Sequence, residues 1–153
     1  MDICTRMPLK LRSLSLNLPF GLGGVDIDVT ETEAIAAWEL YVEMATRVAG
    51  YDAGAGSPRE ALDSLYSLFA TTRDVLRRAG PEVGSGSKSV GAIAIRVLNE
   101  GLRPFLVRWH VVLRTTTDEL DDEQTNEFQA GLAELRAQLA EYVDVLARIA
   151  GIN

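Results

Sequence analysis

Residues 128–151 read FQAGLAELRAQLAEYVDVLARIAG. Phe128, Leu132, Leu135, Leu139, Tyr142, Leu146 and Ile149 recur there at alternating steps of four and three. A helix turns by about 100° per residue, so these seven side chains form one stripe along its length. Gly151 is a natural stop. A single apolar stripe on a helix this long must be covered, and other helices are the usual cover. The seven-residue step also suits a coiled-coil or dimer seam, although packing within one chain already requires the same stripe.

Upstream, the chain supplies those helices. The acidic turn Asp118-Glu119-Leu120-Asp121-Asp122-Glu123 leads into the stripe and puts negative charge where a helix dipole favours it. A third helix is expected from about Ser89 to Thr115, with its seam at Ile95, Leu98, Leu102, Phe105, Trp109 and Val112. Pro104 lies inside it, removes one backbone donor and meets the carbonyl of Glu100, so a kink is expected there. Val83 to Ser89 has the glycine-serine composition of a flexible linker. A second helix opens on the capping box Ser57-Pro58-Arg59-Glu60, buries Leu62, Leu65, Phe69, Thr72 and Leu76, and ends at Gly80-Pro81. The first helix opens on Thr30-Glu31-Thr32-Glu33, carries Ile35, Trp38, Val42, Ala45 and Ala49 at helical spacing, and stops at Gly50.

The first thirty residues have a different period. Leu14, Leu16 and Leu18 alternate with Ser13, Ser15 and Asn17, and Val25, Ile27 and Val29 alternate with Asp26 and Asp28. Such alternation is the mark of half-buried strands, and the segment Pro19 to Gly24 between them is rich in turn formers. The expected fold is therefore mainly α: an antiparallel four-helix bundle (30–153) preceded by a short N-terminal β-hairpin (1–29), together forming one domain over 1–153. The hairpin either lies on the bundle or offers its open edge to a partner sheet.

Composition narrows the function. A formal net charge of −7 argues against binding nucleic acid or an anionic membrane through overall field. Cys4 is the sole cysteine and His110 the sole histidine, which leaves no ligand set for a transition metal and no disulfide within one chain. No stretch approaches the roughly 20 apolar residues of a spanning helix. A cytoplasmic protein without cofactor or membrane contact is expected. The loop Gly84-Ser85-Gly86-Ser87-Lys88-Ser89 lacks the spacing of a phosphate loop, and the acidic turn lacks that of a calcium loop.

One polar stripe remains. At uniform helical pitch Arg96, Asn99, Arg103, His110 and Arg114 fall on one face of the third helix, around Trp109. Arginine forks hold anionic groups bidentately, and an imidazole exchanges protons near neutral pH. Glu39 and Glu43 on the first helix are candidate ion-pair partners for Arg96 or Arg103, and Arg47 for Glu43. Arg73, Arg77 and Arg78 form a second basic cluster, at the end of the second helix. A pocket at the proline, lined by Trp38, Tyr41, Phe105 and Trp109, would instead suit a small ligand, while core packing explains the same aromatics.

Arg103, six residues and His110 together resemble the Arg-(four to six residues)-His signature of HEPN ribonucleases, small four-helix proteins that usually build their site across a dimer. That resemblance implies catalytic roles for Arg103 and His110 in metal-independent RNA cleavage. Pro104 stands where the family usually has a small polar residue. More of the chain is similar to small bacterial helical proteins that accompany conflict systems, through Ala37-Trp38-Glu39-Leu40-Tyr41-Val42-Glu43, Ser64-Leu65-Tyr66-Ser67-Leu68-Phe69, Thr72-Arg73, Leu98-Asn99, Leu102-Arg103-Pro104-Phe105 and Trp109-His110. That likeness implies an accessory or sensing component and carries over no catalytic residue. The leading expectation is a non-catalytic protein-interaction module binding through Arg96, Asn99, Arg103, His110, Arg114, Arg73 and Arg77. A protein partner is expected, with a second copy of the chain as one candidate. RNA is expected only under the ribonuclease alternative.

Overall fold

Alternation in the first segment becomes an antiparallel hairpin: β1 (Lys10–Leu18) pairs with β2 (Gly23–Thr30) in the register Leu14 opposite Ile27 and Leu16 opposite Val25. The computed structural model describes residues 10–48, 57–117 and 119–152. Leu16, Leu18, Ile27 and Val29 point into the core. The outer face is closed by Ser13 and Ser15 hydroxyls donating to Asp28 and Asp26 across the strands. The hairpin lies on the helices, and Arg12 donates to the carbonyls of Arg148 and Ile149, so its guanidinium caps the last turn of the final helix.

Four helical rods follow. They are α1 (Glu31–Val48), α2 (Pro58–Ala79), an interrupted third rod, and α5 (Asp122–Ala150). The third rod consists of α3 (Val90–Arg96), a π-helical turn (Val97–Leu102) and α4 (Arg103–Thr115). All seven stripe residues of α5 are buried, as the spacing requires. The expectation of a helical bundle behind a short hairpin is met. No helix among the described residues is long and apolar enough to cross a membrane.

The first helix packs through a different face from the one expected. Ala36, Ala37, Leu40, Met44 and Val48 are buried, whereas Ile35, Trp38 and Val42 are exposed. This helix is apolar around much of its circumference, so periodicity alone offers two faces, and the larger residues lie on the outer one. Ala49 and Gly50 lie outside the described residues. On α2 the buried face is Leu62, Leu65, Leu68, Thr72 and Val75, with Phe69 and Leu76 half-buried at its edge.

The glycine-serine segment is also more ordered than its composition suggests. Pro81–Gly84 forms a 3-10 turn, and Val83 is buried in the core. A Cβ at Gly91 would run into the Val83 carbonyl, so glycine there permits the turn to rest directly on α3. Glu33 departs from a simple capping box. Its backbone N–H donates to the Thr30 hydroxyl at 3.2 Å, but its buried carboxylate accepts the Val90 N–H at 2.9 Å and so caps α3. The capping box at Ser57 and Glu60 forms in full, and a further one joins Asp121 and Gln124 at the start of α5.

Candidate functional site

The irregularity at Pro104 takes the form of a π-helical turn just ahead of it. The backbone of the third rod stays right-handed helical from Arg96 through Arg103, but one turn widens, and the Arg103 N–H donates to the carbonyl of Leu98, five residues back. In a regular α-helix the Pro104 ring would collide with the Glu100 carbonyl and leave it without a donor. One inserted residue opens the turn and takes up that misfit. Gly101 lies on this turn. The ring of Phe20, from the hairpin tip, is so close that a Cβ at Gly101 would overlap it. Phe20 itself has φ +60°, and its N–H donates to Gln138 of α5 at 2.6 Å.

The widened turn divides the expected polar stripe. An extra residue rotates everything beyond it by about 100° relative to a uniform α-helix. Arg96 consequently leaves the stripe: it pairs with Glu100 at 3.2 Å and donates to the Leu22 carbonyl at 3.3 Å, tying the turn to the hairpin. Asn99 and Arg103 stay together. The Asn99 Oδ1 accepts from Nε and from a terminal nitrogen of Arg103, at 3.2 and 3.0 Å. The guanidinium carbon of Arg103 lies 4.6 Å from the centre of the Phe69 ring on α2. Ring face and amide oxygen together hold this guanidinium in one orientation.

That contact brings the two basic clusters into one place. A cleft of about 330 Å³ lies between α2 and the third rod, lined by Phe69, Thr72, Arg73, Leu76, Arg77, Ile95, Leu98, Asn99 and Arg103. Four of the seven expected binding residues, Arg73, Arg77, Asn99 and Arg103, are among them. No carboxylate lines the cleft, and Arg73 and Arg77 form no ion pair or hydrogen bond among the described residues. Thr72, read from sequence only as an inner-face position, is 2% exposed, and its hydroxyl has no hydrogen-bond partner. An unpaired buried hydroxyl costs about 1–3 kcal/mol, so its position in a cation-rimmed cleft is notable.

His110 and Arg114 continue along the exposed side of α4 beyond the cleft. The imidazole meets Tyr66 of α2 edge-on, with ring centres 6.5 Å apart. Val107 and Val111 are exposed between these polar residues. Trp109 points the other way, 1% exposed, and packs with Phe105 and Phe128 against α5. Trp38 and Tyr41 stack on each other on α1, 5.7 Å apart, so the four aromatics do not line a common pocket. Glu39 pairs with Arg78 at 3.6 Å and Glu43 with Arg47 at 3.2 Å, rather than with Arg96 or Arg103. Arg103 and His110 therefore face outward along the α2–α4 seam with no carboxylate partner among the described residues.

A larger hollow of about 510 Å³ between α1 and α5 is lined by four alanines, two valines, Arg136 and Asp144, and gathers no comparable set of cations. No cluster of three or more potential metal ligands occurs among the described residues. Neither family models, curated proteins nor solved structures match this chain.

Proposed function

We propose that this protein is a non-catalytic interaction module whose partner face is the seam between α2 and α4. The observation that supports it is the convergence of Arg73, Arg77, Asn99 and Arg103 on one cleft that has no carboxylate among its described lining residues. In a chain of net charge −7, three guanidinium groups left facing solvent on one surface are a local exception to the overall field. Arginines beside half-buried apolar side chains are the composition of interface hot spots. An accessory role in a bacterial multi-component system, acting in the cytoplasm, fits this reading.

A photo-crosslinking residue at Val107 on the seam, compared with one at Glu134 on α5, tests it in cells of the source organism. The expected result is a discrete protein adduct at Val107 only, lost when Arg73 and Arg103 are changed to glutamate. Equal adducts from both positions would reject the seam as the partner face.

The second reading is metal-independent RNA cleavage by Arg103 and His110. It is favoured by one observation: both side chains are exposed on the same side of α4. RNA cleavage in EDTA that disappears in a folded His110→Ala variant would establish it. Against it, the Arg103 guanidinium is already engaged by Asn99 and Phe69, and His110 is not among the cleft residues.

A further inference from the structure

The seam has a pattern that extends past the cleft. Along α4 the exposed residues Arg103, Val107, His110, Val111 and Arg114 follow one another at helical steps, over about 16 Å of helix. At one end the cleft adds Arg73 and Arg77 around an apolar floor of Phe69, Leu76 and Leu98, with Ile95 exposed at its rim. Basic side chains therefore alternate with apolar ones along a line, and the line begins in a hollow. A small anion would satisfy the hollow but would leave the valines and Arg114 unused. An elongated partner with negative charge beside an apolar stripe would meet every part.

Resting on the interaction reading above, we infer that the partner element is an acidic amphipathic helix. It lies along the α2–α4 seam, places one large apolar side chain in the cleft, and sets carboxylates against Arg73, Arg77 and Arg103. Charge complementarity decides the sign: the cleft offers guanidinium groups and no carboxylate, so a basic helix finds only repulsion there. Helical spacing decides the shape, because residues of the partner at i, i+4 and i+7 match the run of Val107 and Val111 into the cleft. Arg103 contributes most of the orientation. Its guanidinium is held by Asn99 and Phe69 before the partner arrives, so little side-chain freedom is lost on binding.

The test uses a capped helical peptide of about four turns, with leucines at i, i+4 and i+7 flanked by glutamates. A lysine-for-glutamate version, an alanine-for-leucine version and a short single-stranded RNA serve as the other probes. Each is titrated into the isotope-labelled full chain while backbone amide shifts are followed by NMR. The expected result is saturable shifts confined to the α2–α4 seam with the glutamate-leucine peptide. Affinity should fall at least about tenfold when leucine is replaced, and likewise in the Arg73→Glu, Arg103→Glu double variant. That double variant should bind the lysine peptide in preference to the glutamate one, which a merely misfolded protein could not do.

Equal binding of lysine and glutamate peptides at the seam would overturn the acidic-helix inference and leave the interaction module standing. Absence of seam shifts with the glutamate peptide up to millimolar concentration would also overturn the inference, while the crosslinking experiment still decides the module. Seam shifts with RNA alone, together with its cleavage, would overturn both.

Discussion

The fourth rod, α5, and the third differ in one structural respect, and most of what distinguishes this molecule follows from it. Helix α5 runs through 29 residues without a break, and each of its seven expected core positions is buried. In the third rod one turn is widened by a residue, so positions before and after it no longer share a face. The unbroken helix supplies core. The interrupted helix presents part of its polar stripe to the hairpin through Arg96 and another part to α2 through Asn99 and Arg103. An irregularity of one residue thus serves two neighbours with one rod.

Single-residue deletions address that contrast most directly. Deleting Ala140 from α5 rotates Tyr142, Leu146 and Ile149 out of the core by about 100°. At about 2–5 kcal/mol for each large side chain lost, the total exceeds the stability of an ordinary domain, so cooperative thermal unfolding should vanish. Deleting Glu100 from the widened turn should leave a folded protein, weakened by about 3 kcal/mol because Pro104 then enters a regular helix. Adding Pro104→Ala to that deletion should recover most of the loss. A Glu100 deletion as damaging as the Ala140 deletion would mean that the wide turn is needed for folding itself.

A smaller effect is expected at the contact between the turn and the hairpin. Gly101→Ala drives a methyl group into the Phe20 ring and should cost about 1–3 kcal/mol in chemical denaturation. Combining it with Phe20→Ala should remove the clash, giving a coupling energy opposite in sign to the single costs. Simple additivity would show that the ring moves aside freely.

The smallest effect belongs to the regular helix. The Tyr142 hydroxyl is buried without a partner, and burial pushes its phenol far above the ordinary value near 10. A raised folded pKa means that this contribution to stability is complete below the unfolded value and lost as pH climbs from there toward the folded one. Tyr142→Phe should stabilise the protein by about 1 kcal/mol at pH 7, the low end of the cost of an unpaired buried hydroxyl, and should flatten the decline above about pH 10. Denaturation midpoints at the two pH values provide the check. A Phe variant losing stability at neutral pH would indicate that the hydroxyl has a partner after all.

These two rods also show what a sequence can and cannot convey here. The α5 stripe and the hairpin alternation each had one available burial face, so period was enough to place their residues. The first helix had two apolar faces, and nothing in its spacing favours Ala36, Ala37 and Leu40 over Ile35, Trp38 and Val42; the choice is made by what packs against it. In the third rod, Pro104 announced a disturbance. Proline alone does not say which irregularity will absorb it, and here that is a widened turn holding Gly101 beneath Phe20. The site was legible as two arginine clusters on separate helices. Their meeting across Phe69 was not, because it is a tertiary contact between α2 and α4.

Glu33 carries a consequence for the order of assembly. Its carboxylate accepts the Val90 amide across 57 positions of sequence, so the first turn of α3 gains this acceptor only after α1 has docked. Deuterium uptake at that one amide therefore times the joining of the front of the chain to its middle. A Glu33→Ala variant of the full chain should exchange there faster while amides later in the third rod stay protected.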